Sequence, residues 1–165
     1  MFPIETLELA EKALARSRRA GLRLATAESC TGGLIAAALT AIPGSSDVVE
    51  RGFVTYANAA KVEMLGVPEA MIERFGAVSE PVALAMAEGA LAAAGVELSV
   101  SATGVAGPGG GTPDKPVGLV WLAVARQGRP PRTLLLKLGD LGRDEIRLTA
   151  VEQALGLLLL QASMD

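Results

Sequence analysis

The run Glu28-Ser29-Cys30-Thr31-Gly32-Gly33 places two hydroxyls, a thiol and two glycines between a short apolar segment, 22–27, and a run of small residues of helical character, 34–42. A strand, a turn and then a helix start leave backbone N–H groups unpaired and pointing outward. The helix dipole adds partial positive charge there. Such a turn can hold a phosphate or the oxyanion that forms when a carbonyl is attacked. Ser29 is the candidate nucleophile, Thr31 a second hydroxyl, and Gly32 and Gly33 permit close backbone approach. The same residues also fit a plain helix cap and turn, because Ser and Thr are frequent N-caps.

The chain contains no histidine. That removes Ser-His-Asp and Cys-His catalysis and every histidine-based metal site. One cysteine, Cys30, excludes a thiolate zinc site within one chain and any intrachain disulfide. With no histidine to activate it, Cys30 reads as a small buried thiol. A general base must then be Lys, Tyr, Asp or Glu.

Tyr56, Asn58 and Lys61 form a second group, and Tyr56 is the only tyrosine. Lys61 is one of four lysines against eleven arginines. A desolvated lysine can serve as a base, and a Ser–Lys pair with a tyrosine relay is a histidine-free way to activate a hydroxyl. By spacing alone, Lys61 equally fits a solvated helix residue and Tyr56 the edge of a core. A third group is the run from Thr103 and Gly104 through Ala106 and Gly107 to Gly111. Its backbone amides could wrap an anion. It lacks the Gly-Lys-Ser/Thr ending of a P-loop, and Pro113 and Pro116 keep it from opening a helix as a dinucleotide fingerprint would. A plain surface loop is the alternative. Arg143, at the start of the last helix, is placed to pair with a phosphate or carboxylate.

These groups need a scaffold. Helical patterns are expected over 4–19, 34–42, 59–65, 69–75, 80–94 and 142–161, with Gly21 as a C-cap and Ser79 as an N-cap. Strands are expected over 22–27, 48–56, 96–103, 117–125 and 133–138. The segment 96–103 alternates apolar and polar residues, and Gly128-Arg129-Pro130-Pro131 is expected to turn the last two strands into a hairpin. Strands interleaved with helices predict an α/β fold: a single three-layer α/β/α domain over 1–165 with a mixed, mostly parallel sheet.

Half of the 165 residues are hydrophobic, enough for a core without disulfides or metals. The net charge of −3 includes no basic stripe, which argues against nucleic acid as a partner. The apolar tail 153–164 is too short to span a bilayer, which takes about 20 helical residues. No secretory signal is visible, so a cytoplasmic protein is expected. The same tail is apolar around much of its circumference, which predicts a homo-oligomer.

Taken together, the runs Thr26–Gly33, Pro43–Ser46, Gly52–Asn58 leading to Lys61, Gly76–Ser79, Thr103–Gly110, Val117-Gly118 and Gly142-Arg143 resemble the CinA C-terminal domain family. Its characterised enzymatic members are nicotinamide mononucleotide deamidases. The resemblance covers nearly the whole chain in family order. It implies hydrolysis of nicotinamide mononucleotide to nicotinic acid mononucleotide and ammonia, with no metal and no cofactor. Ser29 would be the nucleophile, Lys61 its base and Tyr56 an assisting hydroxyl. Glu28, Thr31, Gly32, Gly33, Ser46, Asn58, Thr103, Gly104, Ala106, Gly107 and Arg143 would line the substrate site. Full CinA proteins also carry a molybdopterin-protein-like N-terminal domain linked to pyrophosphatase activity, which is not expected of this sequence. The rival readings are a non-catalytic module acting in competence or damage responses through partner proteins, and a nucleotide-binding regulator of the same fold.

Overall fold

A computed structural model describes residues 1–165. The elements follow in the order α1 (Ile4–Arg19), β1 (Leu24–Glu28), α2 (Leu34–Thr40), β2 (Val49–Val54), α3 (Asn58–Leu65), α4 (Glu69–Phe75), α5 (Glu80–Ala94), β3 (Leu98–Gly104), β4 (Leu119–Arg126), β5 (Arg129–Lys137) and α6 (Arg143–Ala162). One 3-10 turn, Ser45–Asp47, leads into β2.

The strands form one sheet in the order β2-β1-β3-β4-β5. β1 pairs in parallel with both β2 and β3, while β4 runs antiparallel to β3 and β5. Four strands therefore point one way and only β4 opposes them. Helices α1, α2 and α6 cover one face, and α3, α4 and α5 the other. β1 is an interior strand covered on both faces, and all five of its residues are buried. Ala25 and Ala27 face the α3–α5 side, where they pack with α5.

The chain leaves β1 toward β2 on one side and leaves β3 toward β4 on the other. Adjacent strands whose connections diverge open a crevice at their carboxyl ends, the usual ligand position in open α/β sheets. Ser29 follows the end of β1, and Thr103 and Gly104 close β3. The fold thus puts two of the three sequence groups on the two lips of one crevice.

Some local expectations change. The polar positions of the β3 alternation are turned to α5. Ser99 and Ser101 are fully buried, and their hydroxyls donate to the Ala87 and Ala83 carbonyls of α5 at 2.6 and 2.5 Å. Serine is small enough for α5 to lie close and polar enough to bind its backbone. β5 begins at Arg129, so Pro130 and Pro131 lie within the strand and the turn is Gln127-Gly128. β5 is an edge strand, where a missing N–H costs least. Ser79 stands at the N-cap of α5 but makes no capping bond; its hydroxyl donates to Gly76 O instead. Finally, the C-terminal half of α6 is apolar around much of its circumference because it is sandwiched between the sheet and α1. Of its leucines only Leu160 is exposed, so the helix no longer argues for a subunit interface.

Candidate active site

The crevice holds a half-open pocket of about 220 Å³. Ser29, Tyr56, Asn58, Lys61, Thr103, Gly104, Ala106 and Arg143 line it, together with Cys30, Ala77 and Val78.

Its centre is a serine–lysine contact. Lys61 Nζ lies 3.0 Å from Ser29 Oγ, 3.0 Å from Thr55 O and 3.3 Å from Tyr56 O. Lys61 is 1 % exposed, and no carboxylate is paired with it. Burial pushes its ammonium below the ordinary lysine range, and the Cys30 thiol nearby opposes that shift only in part. The two carbonyls can only accept, so a neutral amine here would spend its two N–H groups on them and keep its lone pair for the Ser29 hydroxyl. Lys61 arrives here because α3 starts immediately after the 55–57 segment, whose carbonyls it then binds one turn later.

Cys30 is buried, and burial pushes its thiol up to about 12. A thiol that stays protonated is no nucleophile near neutral pH.

Tyr56 differs from its expected relay role. Lys61 binds its backbone carbonyl, whereas its hydroxyl accepts from Arg143 Nη2 at 3.2 Å. Lys61 already touches Ser29, so no relay separates them. Arg143 also donates from Nη1 to Gly107 O at 2.7 Å, tying the glycine loop to the pocket mouth. This arginine is the first residue of α6, where the helix dipole disfavours a cation. It has no carboxylate partner, so it remains available to an anion.

Six expected substrate contacts do not line the pocket. Glu28 is fully buried, and its carboxylate accepts from Ile35 N and Ala36 N at 2.8 and 3.0 Å and from Thr26 Oγ1 at 3.2 Å. It caps α2 from within, so the Ile35 and Ala36 amides of that helix start are already occupied, while the amides of Cys30, Thr31 and Gly33 in the turn before it are not. Thr31 is fully buried with its hydroxyl unpartnered. Gly32 and Gly33 take positive φ values of 57° and 98° and shape the turn. Gly107 contributes only the carbonyl held by Arg143. Ser46 precedes β2 and so stands at the amino end of the strands, opposite the crevice. Thr103 lines the pocket but spends its hydroxyl on Ala77 O at 2.9 Å.

Sequence reasoning missed Ala77 and Val78, carried by the loop between α4 and α5, although the Gly76–Ser79 run was visible as a motif. It also missed Arg147, which donates from Nε to Cys30 O and from Nη2 to Thr31 O.

Fold and site together define a three-layer α/β protein with a half-buried serine against a buried lysine at the carboxyl ends of its parallel strands. Residues 6–162 match the CinA C-terminal domain, and the chain belongs to that family. A CinA-like protein of Akkermansia muciniphila is 56% identical over 138 residues, covering 84% of this chain and 33% of that protein. A CinA-like protein of Anaeromyxobacter dehalogenans is 51% identical over 153 residues, covering 93% and 37%. The chain thus spans about a third of the length of these curated relatives. The crystal structure of a competence/damage inducible protein from Agrobacterium tumefaciens superposes with a TM-score of 0.96 at 49% identity, covering 99% of each chain. A CinA superfamily protein from Escherichia coli gives 0.85 at 36% identity, covering 98% of this chain and 94% of that one. No helix is long and apolar enough to cross a membrane.

Proposed function

We propose that this domain is an amidohydrolase that converts nicotinamide mononucleotide and water to nicotinic acid mononucleotide and ammonia. The observation that carries the chemistry is the 3.0 Å contact between a buried, carboxylate-free Lys61 and Ser29. The choice of substrate rests on the family resemblance. Neutral Lys61 takes the Ser29 proton as Oγ attacks the carboxamide carbon. The tetrahedral oxyanion is held by backbone amides of the serine turn. Lys61 returns the proton to the departing nitrogen, and ammonia leaves an acyl-serine. Water, deprotonated by Lys61, attacks that ester and frees Ser29.

The pocket is smaller than the roughly 300–1,000 Å³ usual for whole drug-sized ligands. It suits the pyridine carboxamide end, with the ribose and phosphate toward the mouth. Arg143 is the cation available there for the phosphate.

The test is ammonia release from nicotinamide mononucleotide by the purified chain. Ser29→Ala is expected to lower turnover by about 10⁴-fold or more. Lys61→Met removes a general base and is expected to cost about 10²–10⁴-fold. Binding of the nucleotide with no ammonia from the wild type would instead support a non-catalytic binding module.

A further inference from the structure

We infer that Arg147 is the positioning residue of the nucleophile turn, holding it so that its free amides receive the oxyanion. The inference rests on the acyl chemistry proposed for Ser29.

In the turn that follows β1, the carbonyls of Ser29, Cys30 and Thr31 are all engaged. Ser29 O accepts from Gly32 N at 3.0 Å, and Thr31 O from Leu34 N at 3.1 Å. Arg147 adds two bonds from α6, Nε to Cys30 O at 3.1 Å and Nη2 to Thr31 O at 3.2 Å. Ser29 N is anchored on Ala102 O of β3 at 2.9 Å. By contrast, the amides of Cys30, Thr31 and Gly33 have no acceptor within the protein.

In a trans peptide the N–H points opposite to the C=O. Holding Cys30 O on the α6 side therefore turns Thr31 N–H away from α6. Cys30 O has no donor other than Arg147. Preorganised donors work because they need not reorient as charge develops. The guanidinium also brings positive charge to the turn, and none of the three ion pairs neutralises it.

Arginine is the residue for this task. Its planar fork offers two donors at fixed spacing to two successive carbonyls, whereas lysine is a single flexible point charge. The turn is shaped to admit it: a Cβ on Gly32 would lie 3.2 Å from Arg147 Nη2. Arg143 and Arg147 are four residues apart, one turn along one face of α6. One faces the pocket mouth, and the other supports the turn behind the nucleophile.

The experiment compares wild type, Arg147→Lys and Arg147→Met by three readouts. These are steady-state ammonia release across pH, thermal midpoint, and the rate of Ser29 labelling by a small alkyl fluorophosphonate. In labelling, Ser29 Oγ bonds to phosphorus, fluoride leaves, Lys61 takes the proton, and the phosphoryl oxygen uses the oxyanion donors. Arg147→Met is expected to lower kcat and labelling about 10²-fold, the scale of one oxyanion donor. KM should stay within about threefold and the pH inflection should not move, because Lys61 is intact. Arg147→Lys is expected to recover part of the rate. Rates within threefold of wild type, or a loss equal to the unfolded fraction at the assay temperature, would overturn the inference. If the wild type is labelled at Ser29 but releases no ammonia, the substrate reading fails and the labelling rates alone decide the role of Arg147. If it does neither, both fall.

Discussion

At the scale of the residue, the proposed chemistry depends on a neutral Lys61. Lys61 sits among carbonyls with its ammonium desolvated, so its pKa is lowered from 10.5. The proposed activity should therefore rise with pH to a plateau, through an inflection below 10.5 that belongs to Lys61. Lys61→Arg should be inactive across the range, since a guanidinium stays protonated. An inflection at or above 10.5 in the wild-type profile would count against Lys61 as base. Stability carries the same sign. The unfolded chain holds this proton more tightly than the folded one, so the folding penalty is complete below the folded pKa and disappears as pH rises toward 10.5. Thermal midpoints of wild type, measured relative to Lys61→Met, should climb through that window. The pairing of Ser29 with Lys61 spans 32 positions and is invisible to spacing. What the sequence made legible was the exclusion of histidine, which left few bases to consider. Arg147 escaped notice because it binds carbonyls, which every residue has. Its only sequence trace is the four-residue step from Arg143.

At the scale of the element, Lys61 is in place only if α3 is, and α3 is set against α5 by Gly89. A Cβ at Gly89 would come within 2.0 Å of the Leu65 carbonyl, which lies at the end of α3. In an exposed helix, Gly→Ala gains up to about 1 kcal/mol. Here the obstacle is backbone and cannot swing aside, so the sign reverses. Gly89→Ala should destabilise by about 1–3 kcal/mol and lower kcat by displacing Lys61, measured by urea unfolding and ammonia release. An unchanged midpoint would mean that the α3–α5 contact does not set the site. Most elements were legible because hydrophobic period and glycine punctuation are local signals. The misreadings share one cause, context supplied by a neighbour. Pro130 and Pro131 look like turn residues until β5 is known to be an edge. Glu28 looks like a ligand contact until α2 is seen to be capped by it.

At the scale of the whole molecule, the sheet separates two cores, and the larger is sealed by α1 lying over α6. Leu14 and Ala10 are buried there, and Thr6 Oγ1 donates to Glu152 Oε1 at 2.7 Å to join the helices. This arrangement answers why the last helix is so apolar: its second face belongs to α1 in the same chain. Removing α1 packing should therefore expose a leucine surface, while no residue of α1 lines the pocket itself. Leu14→Ala is expected to cost about 2–5 kcal/mol, the usual range for a leucine truncated in a core. If the two cores unfold as one unit, the ammonia-releasing and spectroscopic transitions in urea will stay superimposed and shift together. The kcat per folded molecule, counted by Ser29 labelling, should then be unchanged. Two separated transitions, with activity surviving past the first, would mean that α1 detaches independently while α6, which carries Arg143 and Arg147, stays docked on the Ser29–Lys61 side. Light scattering on the same variant reports the other consequence. Self-association that rises with Leu14→Ala, above the wild-type level, would identify the α6 face as a surface that α1 normally keeps from other copies of the chain.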